Sequence, residues 1–103
     1  MAREIDILAY LENRSDDDIL VDLREEVTFR CGTLPGAVNI PIDRIQELYQ
    51  LPTDRNIYLF CQAGEVSAEM AELLSDNGCR AFHLGGGYRK YLRSRIKEET
   101  PDT

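Results

Sequence analysis

Apolar residues fall into four short runs along an otherwise polar chain. Ile19-Leu20-Val21-Asp22-Leu23 follows the acidic stretch Ser15-Asp16-Asp17-Asp18 and ends in a charged cluster, which predicts a strand. Asn56-Ile57-Tyr58-Leu59-Phe60 predicts another, introduced by the turn-like Pro52-Thr53-Asp54-Arg55. Two further candidates are Ala37-Val38-Asn39-Ile40, bracketed by Pro35-Gly36 and Pro41, and Arg80-Ala81-Phe82-His83-Leu84, closed by three glycines.

Helical spacing fills the intervals. Asp6 is the predicted N-cap of a helix over 7–13, with Leu8 and Leu11 three apart, and Ile42, Ile45 and Leu48 repeat that spacing. Residues 67–76 set Met70, Leu73 and Leu74 on one side before Asn77-Gly78 stops the pattern. Tyr88, Tyr91 and Leu92 predict a last helix after Gly85-Gly86-Gly87, and the polar residues 97–103 are expected to fray. Strands alternating with helices require crossover connections. The expectation is one small α/β domain over residues 1–103, its core at about 5–94, with a four- to five-stranded, mostly parallel sheet covered by helices on both faces.

Composition narrows the function. With 103 residues, 43% hydrophobic and 30% charged, collagen-like, low-complexity and wholly disordered classes drop out. No apolar run approaches the roughly 20 residues that span a bilayer, and the first residues lack a signal peptide's apolar core, so a soluble, cytoplasmic protein is expected. Nineteen acidic against twelve basic residues give a net charge of −7, which disfavours nucleic acid and anionic membrane as partners. Cys31, Cys61 and Cys79 cannot all pair with one another, and no C-x-x-C occurs; thiols in a reducing compartment fit better than a disulfide framework or a zinc site, and no metal is expected.

In an open α/β sheet, reactive groups gather at the carboxyl ends of the strands, where helix N-termini face the crevice. Cys61 falls there, closing one strand about six residues before a helix. The intervening Gln62-Ala63-Gly64-Glu65-Val66 contains a glycine able to reach conformations that other residues avoid. Such a loop can turn its backbone N–H groups toward the sulfur as an anion nest, and the helix beyond adds its positive end. Both favour a thiolate over a thiol, and the same cradle suits a persulfide, whose outer sulfur is anionic. Cys61 is therefore a nucleophile candidate that needs no histidine; the competing reading of these residues is a small buried apolar side chain ending a strand.

Taken together, the blocks resemble a single-domain rhodanese. Val21-Asp22-Leu23-Arg24 resembles the family's Asp-x-Arg strand end, and residues 32–41 (Gly-Thr-Leu-Pro-Gly-Ala-Val-Asn-Ile-Pro) resemble its Gly-His-Ile-Pro-Gly-Ala-x-Asn-Ile-Pro run. Cys61-Gln62-Ala63-Gly64-Glu65-Val66-Ser67 resembles its Cys-x-x-Gly-x-x-Ser active loop, and Leu84-Gly85-Gly86-Gly87-Tyr88 its Gly-Gly-Tyr ending. The resemblance implies a sulfurtransferase in which Cys61 accepts sulfane sulfur, stores it as a persulfide and passes it to a thiol or cyanide acceptor by double displacement. It implies that the backbone donors of residues 62–67 stabilise the transferred sulfur, that Ser67 can add its hydroxyl, and that no cofactor is needed.

Two departures modify that picture. Thr33 stands where the family usually has histidine, which is expected to alter only a supporting hydrogen bond. The loop lacks lysine and arginine and contains Glu65, which repels the thiosulfate dianion; weak thiosulfate activity is expected, with a polysulfide or low-molecular-weight persulfide as donor. Residues 32–42, Cys61-Gln62-x-Gly64 and the run from Gly86 to Tyr91 are similar to rhodanese domains fused at the C-terminus of flavin-dependent coenzyme A disulfide or persulfide reductases. That similarity implies a flavoprotein partner or fusion, and fits a domain standing alone as well as one cut from a longer chain.

The remaining chemistry-bearing residues read more plainly. Asp22 and Arg24 leave a strand at the Cys61 edge, placed to line the pocket or, preferably, to brace the loops by hydrogen bonds and an ion pair. His83 reads as structural rather than catalytic. Cys31, in a predicted loop, is not required by spacing to resolve a Cys61 persulfide, and Cys79 reads as packing or as lying at the opposite sheet edge. Tyr88 and Tyr91 are expected to cover the sheet, and Asp16 to Asp18 and Glu25-Glu26 to be solvated loops. A dual-specificity phosphatase needs an arginine six positions after its cysteine, where this chain has Ser67. The alternative function is a non-catalytic binding or regulatory module.

Overall fold

The computed structural model describes residues 3–99. Its elements run β1 (Arg3–Asp6), α1 (Ile7–Asn13), β2 (Ile19–Asp22), α2 (Glu26–Cys31), β3 (Val38–Asn39), a 3-10 helix (Ile42–Gln50), β4 (Asn56–Phe60), α3 (Glu65–Asp76), β5 (Arg80–Gly85) and α4 (Gly87–Glu99). The strands form one sheet in the order β1-β5-β4-β2-β3, and every neighbouring pair is parallel.

Central position explains the composition of β4. Ile57 and Leu59 pack with Val21, Met70, Ala71 and Leu74 on the α3 side, while Tyr58 and Phe60 pack with Ile7, Tyr10, Leu20 and Tyr88 on the side of α1 and α4. A strand covered on both faces must be apolar throughout, and each such side chain contributes about 1.5–3 kcal/mol by leaving water. Cys61 continues the alternation onto the α3 side, in the cluster with Leu59 and Met70.

Helix starts follow local chemistry. Asp6 caps α1, its carboxylate accepting from the amides of Leu8 at 3.0 Å and Ala9 at 3.3 Å. The predicted helix over 67–76 starts earlier, at Glu65, because Gly64 in the left-handed region (φ 109°) serves as N-cap and lets the chain turn directly out of the loop.

Four expectations need correction. Residues 3–6 form an edge strand, which pairs with β5 although only Ile5 in it is a large apolar residue. Residues 26–31 are helical, so Glu26 and Cys31 leave their predicted loops; Glu26 opens α2 and is bridged by Arg30 at 2.5 Å. The segment over 42–50 is a 3-10 helix interrupted at Arg44 (φ −116°), which shows that threefold apolar spacing suits either helix type. Residues 97–99 continue α4, while 100–103 of the expected frayed tail lie outside the described residues.

Candidate active site

The sulfur of Cys61 lies at the floor of a turn built from main chain. Gly64 donates its amide to Cys61 Sγ at 3.1 Å and Ser67 donates its own at 3.4 Å. The Cys61 thiol donates to Ser67 Oγ at 3.6 Å, and the Ser67 hydroxyl donates to the Gly64 carbonyl at 3.1 Å. Cys61 is 7% exposed and Ser67 fully buried, whereas Gln62, Ala63, Glu65 and Val66 form an exposed rim. Of residues 62–67, two thus bring amides to the sulfur, and α3 points its positive end the same way.

The loop is held from outside by α4. The amides of Tyr88 and Arg89 donate to the carbonyls of Cys61 and Gln62 at 2.9 and 3.0 Å. So close an approach requires glycine at the start of the helix: a Cβ on Gly87 (φ 64°) would stand 2.6 Å from Gln62 O and 2.8 Å from Cys61 O.

Asp22 and Arg24 form a buried brace at the end of β2. Asp22, fully buried, accepts from the Arg24 backbone amide at 2.9 Å, from Nε at 3.0 Å, from Nη2 at 2.7 Å and from Thr33 Oγ1 at 2.7 Å. Arg24 Nη2 also donates to Gly32 O at 2.7 Å, and the guanidinium lies 4.0 Å from the Tyr88 ring centroid. This pair therefore ties β2, the 32–33 turn and α4 together around the loop, and Thr33 supplies the supporting hydrogen bond at its position. Arg24 and Tyr88 also line a pocket with Gln62 and Cys31. Sequence reasoning did not identify Thr28 and Leu92 on that pocket, because its walls come from α2 and α4, far apart in the chain.

Other candidates lie elsewhere. His83 sits within β5 beside Leu59, with Nε2 3.2 Å from Glu4 Oε1. Cys79 is buried just before β5, at the end of the sheet opposite the loop, in a cavity with Asn56 and Arg80. Among the described residues, no three His, Cys, Asp or Glu side chains gather as a metal site, and no helix is long and apolar enough to cross a membrane.

A parallel sheet whose central strand delivers a cysteine into a cradle of main-chain amides defines a small α/β domain with a thiol held at the carboxyl edge of the sheet. The sequence profile of the rhodanese-like domain matches residues 7–94, and the chain belongs to that family. It is 38% identical over 74 residues to the uncharacterized protein YqhL of Bacillus subtilis, covering 70% of this chain and 59% of that protein. A sulfurtransferase of Allochromatium vinosum is 27% identical over 106 residues, covering 99% of both. The reduced CoADR-RHD of Bacillus anthracis superposes with a TM-score of 0.73 at 29% identity, over 87% of this chain and 16% of that one. The chain thus spans less than two thirds of the length of the first and last of these relatives.

Proposed function

We propose that this chain is a sulfurtransferase or persulfide carrier that moves sulfane sulfur through a persulfide on Cys61. The observation that carries this reading is the pair of amides, Gly64 N and Ser67 N, directed at Cys61 Sγ from a loop with an open rim. Donors fixed in place for a sulfur anion need no reorganisation when charge develops on it.

The reaction divides into two displacements. In the first, the Cys61 thiolate attacks the outer sulfur of a donor R–S–SH; the new S–S bond forms, the old one breaks, and R–S⁻ leaves with its electron pair. In the second, an acceptor thiolate or cyanide attacks the outer sulfur of the Cys61 persulfide, and Cys61 departs as thiolate to the same two amides. No net oxidant or reductant enters. Glu65, exposed on the rim, favours a persulfide or polysulfide over dianionic thiosulfate as donor. The name of the Allochromatium vinosum relative supports the transferase reading, and the likeness to CoADR-RHD supports a flavoprotein partner or fusion. A site working through a free thiol suits a reducing, cytoplasmic setting.

The test is peptide-mapped mass spectrometry after exposure to glutathione persulfide. An adduct of about 32 Da on the Cys61 peptide, absent from Cys61→Ser, supports the proposal. An unmodified Cys61 peptide in the wild type would point to the non-catalytic binding module instead.

A further inference from the structure

One cavity adjoins the reacting loop without being formed by it. Between α2 and α4 a pocket of about 280 Å³ is lined by Arg24, Thr28, Cys31, Gln62, Tyr88 and Leu92, among others. Gln62 places it next to Cys61. Among the described residues lining it none is a carboxylate, and Arg24 is the one charged side chain.

Arg24 has a donor to spare there. Its side chain is 6% exposed, Nε and Nη2 are engaged by Asp22 and Gly32, and Nη1 bonds to no described residue yet is not sealed from solvent. A buried guanidinium with one open N–H edge is a receptor for an anionic oxygen, because its hydrogen bond to a carboxylate is charge-assisted. A second cavity, lined by Glu25, Glu26 and Asp43 with Arg44 as its one basic side chain, carries more carboxylates than cations. Small-molecule sites usually span roughly 300–1,000 Å³, so the Arg24 pocket suits a carrier of few atoms rather than one bearing a nucleotide.

Resting on the sulfurtransferase reading, we propose that this pocket seats the organic part of the sulfur carrier. It selects a low-molecular-weight thiol or persulfide that bears a carboxylate, with the carboxylate on Arg24 Nη1 and the sulfur reaching Cys61 past Gln62.

A charge swap at the rim tests this without disturbing the Asp22–Arg24 brace. Leu92 is 40% exposed on α4, so Leu92→Glu and Leu92→Arg place opposite charges at the pocket. Two acceptors serve as probes, 3-mercaptopropionate and the aminothiol cysteamine, each rate being normalised to the same protein's cyanide turnover. Leu92→Glu should raise the KM for 3-mercaptopropionate about five-fold relative to cysteamine, and Leu92→Arg should lower it by a similar factor, the effect of one partly exposed charge pair. Equal shifts for both thiols overturn the subsite and leave the sulfurtransferase reading standing. Wild-type protein that passes sulfur to none of the three acceptors overturns both.

Discussion

The amide of Tyr88 donates to the carbonyl of Cys61 at 2.9 Å, so the first turn of α4 fixes the main chain at the residue whose sulfur faces the cradle. The last helix is thereby packed against the site, although none of its described side chains bonds to the sulfur.

Gly87→Ala should damage both stability and sulfur transfer. The added Cβ meets two backbone carbonyl oxygens, which cannot swing aside as a flexible side chain does, and alanine disfavours a φ of 64°. A loss of at least about 2 kcal/mol in denaturant unfolding is expected. Wild-type stability in this variant would show that α4 does not press on the loop.

Removing Asp22 should cost more than removing an exposed ion-pair partner. Asp22→Ala leaves the buried Arg24 guanidinium without its carboxylate, for an expected loss of about 3–5 kcal/mol. Replacing both partners by apolar residues of similar volume should recover part of that loss. A single-variant cost below about 1 kcal/mol, within the range of surface pairs, would contradict the bracing role.

Glu65→Lys tests the electrostatic argument about the donor. Glu65 is exposed at the first position of α3, on the rim of the loop, and reversing its charge should raise thiosulfate turnover about five-fold or more. An unchanged or lower rate refutes it.

Asp6 gives a pH dependence of known sign. The Lys90 amine bonded to its carboxylate, together with the amides of Ala9 and Leu8, holds its carboxyl below the ordinary carboxylate value of 3.8. A depressed folded pKa stabilises the fold above the unfolded value, and that contribution is lost as pH falls below 3.8 toward the folded pKa. Asp6→Asn keeps an N-cap acceptor but lacks the ionisation, so its stability should fall less steeply than the wild type's below about pH 4 in urea titrations. Parallel curves would rule the linkage out.

What could be read from the chain depended on whether the cause was local. The Asp6 cap and the buried run of β4 act within a few residues, and the helix and strand they specify lie where expected; the glycine after Cys61 also acts locally, starting its helix at Glu65 rather than at residue 67. β1 escaped because Arg-Glu-Ile-Asp has no apolar run; it is a strand by virtue of pairing with β5, which is distant in sequence. α2 escaped because none of its six residues is buried, leaving no apolar stripe to recognise. The Cys-x-x-Gly-x-x-Ser spacing pointed to main-chain donors over 62–67, of which the amides of Gly64 and Ser67 reach the sulfur. The grip of α4 on Cys61 and Gln62, and the reach of Arg24 to Gly32 and Tyr88, arise only from tertiary packing.

The strand order has a consequence for biogenesis. Among the described strands β1 comes before all the others and its sheet neighbour β5 after them, so β1 cannot pair until nearly the whole domain has been made. Pairing at so long a sequence separation is slow to form, and until β5 is in place the facing edges of β1 and β4 are open to association with other chains.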